Sequence, residues 1–451
     1  MKLTGYTKRP ALTICWVGGY DRTLKFRRFL CNKNLAQPRC VSRDSALSIQ
    51  RAFPVVGSGM LRHLSFSART PSSAGRPSGV MREIELDVIR GVAIFLAMGW
   101  HFNDLETGIL PIDWLMLPGR LFGWAGVDLF FVLSGFLVGR LIFDEYRRTG
   151  NFQCFRFLIR RALKIWPILY VFLVCQLLLG FKSWDTYFFQ ILFHIQNFLK
   201  TPILHLWSLA VEEHFYLVVA ILFSLYCKER MRSPKSIIYV ALAIMIVVPC
   251  IRFIAVLLAV DPVSIQWETQ YRIDALACGV AMAAMYVFYY PAFQKISRYR
   301  MMHLFIVIGG ASVLSFVSLH GEFNSVLGYS VAYMTAAAFL FLCYQNPLIL
   351  RNSILFLPIA TAGVYSYAMY IWHPGMIRVS DFLSRYVVGL PYDGAILLFV
   401  RYVGAIVIAV AMTKAIERPF LALRDRIFPR SGSGRGPISD AVVDASADSA
   451  S

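Results

Sequence analysis

The chain has 451 residues, of which 57% are hydrophobic and 16% are charged, and its formal net charge is +19. This composition excludes an ordinary soluble domain, because apolar runs of about twenty residues, the length that crosses a bilayer, recur from Val88 to Ile416. The charge does not indicate a nucleic-acid partner, because it is concentrated in the first 80 residues and in short loops between the apolar runs. We therefore expect an all-α, polytopic integral membrane protein embedded in the lipid bilayer.

Residues 1–80 form a basic extension. They contain fourteen Lys and Arg residues against Asp21 and Asp44, and they show no sustained apolar period. Such a composition is typical of a transit peptide or of a mis-assigned start, since Met81 directly precedes the first apolar run. We expect 1–80 to be disordered if translated, 81–430 to form the membrane domain, and 431–451, rich in Ser, Gly, Ala and Asp, to be a disordered tail.

Hydropathy predicts about ten transmembrane helices, over residues 88–104, 120–142, 157–179, 205–226, 236–259, 271–290, 302–319, 326–344, 354–375 and 394–416. Lys and Arg are concentrated in alternate loops, such as 147–156 and 418–430. With the first helix running outward, the positive-inside rule places both termini in the cytoplasm, and we expect the bacterial inner membrane. This topology requires that residues 181–204 do not span.

The first predicted helix carries two ionisable residues on one face. Arg90 and His101 are eleven residues apart, so their side chains point the same way, about 16 Å apart along the axis. Ionisable groups in a span are costly and usually face a protein interior or a polar cavity. The pair indicates a cation near one end of a cavity and a titratable base deeper in. Alternatively, Arg90 anchors the helix at the interface and His101 bridges two helix ends.

Further polar motifs follow in chain order. They are Gly126-Val-Asp128 with Ser134, Arg160-Arg161-Ala-Leu-Lys164, Trp207-Ser208-Leu-Ala-Val-Glu212, Tyr271-Arg272-Ile-Asp274, Tyr370-Ile-Trp-His373-Pro374 and Glu417-Arg418-Pro-Phe420. Topology sorts them into two groups. The cations Arg90, Arg160, Arg161 and Lys164 fall at the cytoplasmic side. The residues His101, Asp128, Glu212, Arg272 and His373 fall in the outer half.

This series resembles the acyltransferase 3 family, multi-pass membrane enzymes that O-acylate surface polysaccharides and some small glycosides. The resemblance extends from about Glu83 to Phe420, with seven motifs in order. It implies transfer of an acyl group, commonly acetyl, from acyl-CoA to a hydroxyl of a glycan or glycoside. It also implies that His101 is the catalytic base and that Arg90 and the third-helix cations hold the CoA. The family's third-helix arginine pair is Arg161 and Lys164 here, and lysine keeps the charge without the bidentate fork.

Acyl transfer from a thioester to a hydroxyl needs a base, a means of stabilising the oxyanion, and cations for the CoA phosphates. Acyl-CoA is expected as the donor substrate, with no permanently bound cofactor and no metal. Nine cysteines without metal-ligand spacing agree with this. The candidate site residues are His101, Glu212 and Asp128 for catalysis, Arg90, Arg160, Arg161 and Lys164 for CoA, and Trp207, Ser208, Arg272, Tyr370 and His373 for the acceptor.

Several candidates have a structural alternative. Glu212 is a candidate ion-pair partner of Arg272, Asp128 can hydrogen-bond a neighbouring helix end, and His373 can orient a broken helix end before Pro374. Trp207 and Tyr370 also fit an interfacial aromatic belt. The competing function is a transporter or flippase, which predicts broken helices in two matching halves, and the sequence has no such internal repeat. The acceptor, the acyl chain length and the oligomeric state stay open.

Overall fold

The computed structural model describes residues 83–179, 184–199, 201, 203–228, 233–345, 353–354, 356–387 and 394–429. All regular elements in these ranges are helical and none is a strand, which confirms the all-α prediction. The predicted basic extension, 1–80, and the predicted tail, 431–451, lie outside the described residues.

The described residues form fifteen α-helices. In chain order they are α1 (Ile84–His101), α2 (Leu110–Phe122), α3 (Gly126–Thr149), α4 (Cys154–Leu178), α5 (Trp184–Leu192), α6 (Trp207–Lys228), α7 (Lys235–Leu257), α8 (Pro262–Trp267), α9 (Ile273–Phe288), α10 (Tyr290–Ser297), α11 (Arg300–Phe316), α12 (Tyr329–Gln345), α13 (Phe356–Phe382), α14 (Gly394–Met412) and α15 (Arg418–Ile427). Short π-helical segments precede α12, follow α13 and join α14 to α15.

Five helical segments among the described residues are long and apolar enough to cross a membrane, or six if the bent pair α9 and α10 forms one span. An apolar face turned away from the protein interior is clearest at α7, where only 22% of the apolar stretch is buried and Tyr239, Ile246 and Phe253 are exposed. The protein is therefore an integral membrane protein. The count of about ten spans stays a prediction, and α1, with Glu85, Asp87 and Arg90, is not among the five.

Each of the ten predicted helices overlaps an observed one, but two differ in detail. The second is divided, because the 3₁₀ turn Gly123–Ala125 separates α2 from α3. The sixth ends at Phe288, where the chain turns by 118° into α10. Pro291 lies in the first turn of α10, a position at which proline favours the start of a new helix.

Helix α3 packs against α9 through two glycines that allow the backbones to approach closely. A Cβ on Gly135 would lie 2.1 Å from the Leu276 carbonyl oxygen, and one on Gly279 would lie 2.2 Å from the Val132 carbonyl oxygen. Small residues at such crossings are a general means of packing helices in membranes, where apolar burial alone gives little driving force. The glycine contact fixes the position of α3, which forms one wall of the cavity described below.

Gly279→Ala is expected to destabilise the protein by about 1–3 kcal/mol, because the added methyl would meet only backbone atoms of α3, and these cannot move cheaply. Gly309→Ala is the matched control. Gly309 also lies inside a helix, α11, and has nothing within 4 Å of the added Cβ. Thermal unfolding in detergent should show a lower melting temperature for the first variant only. Equal melting temperatures would contradict the close packing of α3 against α9.

Candidate active site

A cavity of about 720 Å³ lies between α1, α3, α4, α6, α13 and the segment that leads into α15. One face of α3 lines it from end to end, at helical spacing, with Val127, Phe130, Ser134, Leu137, Leu141, Glu145 and Arg148. These residues cover about 31 Å of the helix axis at 1.5 Å per residue. The hydrocarbon core of a bilayer is about 30 Å thick, so the cavity follows α3 over the thickness of a membrane.

The cavity is strongly basic. Its lining contains the carboxylates of Glu145, Glu212 and Glu417 and eight cations, namely Arg90, Arg148, Arg156, Arg160, Arg161, Lys164, Arg418 and Arg424. The formal surplus is five positive charges among the described residues. Since partly desolvated cations need counter-charges, the cavity suits an anionic ligand. The four predicted CoA-binding cations all line it, and their role in CoA binding stays a prediction.

Three of these cations form what we term the central tier: Arg90, Arg161 and Lys164. Arg90 is paired with Asp87 at 2.8 Å. The guanidinium of Arg161 lies over the rings of Phe157 and Tyr216, at 5.5 Å from each centroid. Lys164 lies within the electrostatic reach of both arginines. The ion pair of Arg90 and the aromatic contacts of Arg161 thus hold two of these like charges in place around the cavity.

Four arginines form the mouth tier, at the exposed end of the cavity: Arg148, Arg156, Arg160 and Arg424. Arg156 is paired with Glu145 at 2.6 Å. Asp425 binds two members of the tier, Arg160 at 2.9 Å and Arg424 at 2.8 Å. Of these four arginines, only Arg160 was predicted from sequence as a CoA-binding residue. Arg156, Arg160 and Lys164 are spaced at i, i+4 and i+8 on α4, which places all three on one helix face. This spacing could have identified Arg156 from sequence as a further cation of the same site.

Hydroxyl and carboxyl groups line the opposite, deep end of the cavity. Tyr370 donates a hydrogen bond to the His205 carbonyl at 2.6 Å, and Ser208 lies 2.6 Å from the same tyrosine hydroxyl. Glu212 accepts a hydrogen bond from Tyr216 at 2.6 Å. Glu212, Ser208 and Tyr370, which were predicted from sequence, therefore meet here.

The suggested ion pair between Glu212 and Arg272 is wrong. Arg272 binds Asp128 at 2.7 Å, with both side chains at most 2% exposed, because the start of α9 packs against the start of α3. The guanidinium also lies over the rings of Tyr329, at 3.8 Å, and Trp207, at 5.3 Å. Asp128, Trp207 and Arg272 form a buried cluster that joins helices and does not line the cavity. This geometry favours a structural role for the three residues. The catalytic role of Asp128 and the acceptor-binding roles of Trp207 and Arg272 stay predictions.

Three histidines form a cluster beside the deep end. The ring centroid of His373 is 5.0 Å from that of His101 and 5.6 Å from that of His205. His373 Nδ1 faces the carbonyl oxygens of Met369 and Tyr370, at 3.1 and 2.9 Å, so Nδ1 carries the proton and Nε2 is left as an acceptor.

The Tyr370 ring, which lines the cavity, lies 5.8 Å from the His373 ring. His101 is therefore separated from the cavity wall by one side chain. His205 was not among the residues predicted from sequence, although its position two residues before Trp207 was an available signal. No group of three His, Cys, Asp or Glu residues in the described part of the chain could hold a metal ion.

Residues 83–414 match the model of a family described as an acyltransferase domain. The chain is 22% identical to the peptidoglycan O-acetyltransferase OatA of Listeria monocytogenes over 322 residues. The matched region covers 65% of this chain and 49% of that protein. It is 27% identical to the O-acetyltransferase OatA of Staphylococcus aureus over 328 residues, and this matched region covers 66% of this chain and 51% of that protein. The chain thus spans about half the length of these curated relatives. No solved structure matches the chain.

Proposed function

The chain belongs to the acyltransferase 3 family, and from this premise we propose that it is a membrane O-acetyltransferase using acetyl-CoA as donor and a cell-envelope glycan as acceptor. The observation that carries the proposal is the basic cavity along α3, with its surplus of five positive charges. Acyl-CoA has roughly four negative charges at neutral pH, two on its diphosphate and up to two on its phosphomonoester. The charge of the donor therefore suits the cavity.

The proposed donor position follows the lining of the cavity. The phosphates lie among the two cation tiers. The uncharged pantetheine arm follows the apolar stretch of α3 that includes Leu133 and Leu137, and the thioester reaches the deep end near Ser208 and Tyr370. Arg90 and His101 are about 16 Å apart along α1 at 1.5 Å per residue, a distance on the order of an extended pantetheine arm.

In the proposed reaction His101 removes the proton from the acceptor hydroxyl. The resulting oxygen attacks the thioester carbonyl, the carbon–sulfur bond breaks, and the CoA thiolate leaves and takes the proton back from the histidine. His373, with Nδ1 fixed by two carbonyl groups, supports the ring of His101. Attack by the acceptor within a ternary complex needs no acyl-enzyme.

The proposed orientation places the mouth tier and both chain termini in the cytoplasm of a bacterium, with the protein in the inner membrane. The positive-inside rule supports this choice, since arginines are concentrated at the mouth, and acyl-CoA is made in the cytoplasm. The acceptor then reaches the His101 end from the outer side. Because one relative is named a peptidoglycan O-acetyltransferase, we propose peptidoglycan as the first acceptor to test.

Sealed right-side-out vesicles that contain the protein, loaded with acetyl-CoA, should O-acetylate peptidoglycan fragments added outside and release CoA inside. Mass spectrometry of the fragments and a thiol assay of the lumen measure both products. Vesicles without the protein are the control. Transfer that requires both substrates on the same face would overturn the orientation, and CoA release without an O-acetylated product would overturn the acceptor.

A further inference from the structure

The two cation tiers of the cavity lie at different depths. On α4 the two tiers adjoin at the consecutive residues Arg160 and Arg161, and the row of cations extends from Lys164 in the central tier to Arg156 in the mouth tier, eight residues or about 12 Å along the helix axis. Adjacent phosphates of one diphosphate are directly bonded through a shared oxygen, so one diphosphate does not extend over both tiers. The arrangement suits a ligand with two separate anionic groups.

The mouth tier is built as a site of its own. Asp425 holds the guanidinium groups of Arg160 and Arg424, whose side chains are only 16% and 13% exposed, while Asp425 itself is 53% exposed. Both arginines line the cavity and Asp425 does not, so the carboxylate holds them from outside and leaves them available to a ligand. Arg160 also donates to the Phe428 carbonyl, which fixes it against the end of α15.

The charge of the mouth tier suits one phosphomonoester. Its four arginines face the carboxylates of Glu145 and Asp425, which leaves a formal surplus of two positive charges. A phosphomonoester carries about 1.5 to 2 negative charges at pH 7, and arginine pairs bind such groups through bidentate hydrogen bonds.

We propose that the mouth tier is a separate subsite for the phosphate on the ribose of the donor, and that Arg424 makes the protein distinguish CoA from dephospho-CoA. The inference rests on the proposed function, in which acyl-CoA is the donor. Arg424 lies in α15, beyond residues 83–414 that match the family. The specificity therefore comes from a helix outside the matched domain.

The test is binding of CoA and of dephospho-CoA to the purified full chain in lipid nanodiscs. Wild type should bind CoA more tightly than dephospho-CoA by about 10-fold or more, the effect of a hydrogen-bonded charge pair. Arg424→Gln should weaken CoA binding by about 10-fold and dephospho-CoA binding by clearly less, a small effect being expected because Arg424 also lies within electrostatic reach of Arg161 and Lys164. Arg426→Gln is the matched control, with the same substitution on the same helix at an exposed residue that does not line the cavity.

Arg148→Gln gives a second measurement, because Arg148 is exposed and lines the cavity, and its Nε donates to the Asp144 carbonyl of its own helix. It should also weaken CoA binding selectively. The subsite would be overturned if the arginine variants kept the wild-type preference for CoA over dephospho-CoA, or if they weakened the binding of both ligands equally. Either result would leave the proposed function in place. A wild-type protein that binds neither ligand would overturn the donor assignment and the subsite together.

Discussion

His101→Ala is expected to lower kcat for acetyl transfer by about 100- to 10,000-fold, the usual contribution of a general base. His101 ends α1, lies against the His373 ring, and does not line the basic cavity. Donor binding should therefore stay near the wild-type value. Steady-state rates at equal protein level, together with CoA binding to the purified variant, measure the two effects separately.

His320→Ala is the control for the loss of a histidine. His320 lies between α11 and α12, where its ring contacts Gln266 at 3.1 Å, and it is not part of the cluster at the deep end. The acetyl-transfer rate of the His320→Ala variant should match that of the wild-type protein. Near-normal turnover of the His101 variant would remove this residue from the mechanism, and a simultaneous loss of CoA binding would indicate a structural role instead.

Local patterns in the sequence were sufficient to locate the helices and four of the cations that line the cavity. Apolar runs and positive loops predicted ten helices that all overlap observed ones, because both signals depend on residues close together in the chain. The same topology placed Arg90, Arg160, Arg161 and Lys164 at one side of the membrane, and in the structure all four line one cavity.

Partners from distant segments were not predictable in this way. Asp128 binds Arg272 because α3 packs against α9, and no spacing within either helix identifies the neighbour. Glu212 was linked to Arg272 from sequence, yet it accepts a hydrogen bond from Tyr216 on its own helix. Arg424 joins the cavity only because α15 returns to the start of α4, where Asp425 binds Arg160. Tertiary packing, which one sequence does not encode in its local periodicity, decided the first and third of these contacts, whereas the bond between Glu212 and Tyr216 is local and fits their i, i+4 spacing.

Arg161→Gln is expected to lower kcat/KM for acetyl-CoA by about 100-fold, within the effect of losing a charged hydrogen-bond partner in a partly desolvated site. Arg161 lines the cavity in the central tier, between the rings of Phe157 and Tyr216. Because Arg161 belongs to the central tier, its loss should weaken the binding of CoA and the binding of dephospho-CoA equally. The acceptor KM should not change.

Lys164→Arg is the matched control, since it keeps the charge of the central tier and restores the family's residue, so activity should be retained. Thermal unfolding of Arg161→Gln must be measured in parallel, because the guanidinium also packs between two aromatic rings. Kinetics with both substrates varied decide the outcome. With the ribose phosphate at the mouth tier, the proposed donor position leaves the diphosphate to the central tier and so to Arg161. A rise confined to the acceptor KM would instead place Arg161 at the acceptor. A loss of CoA binding without loss of dephospho-CoA binding would place it at the ribose phosphate.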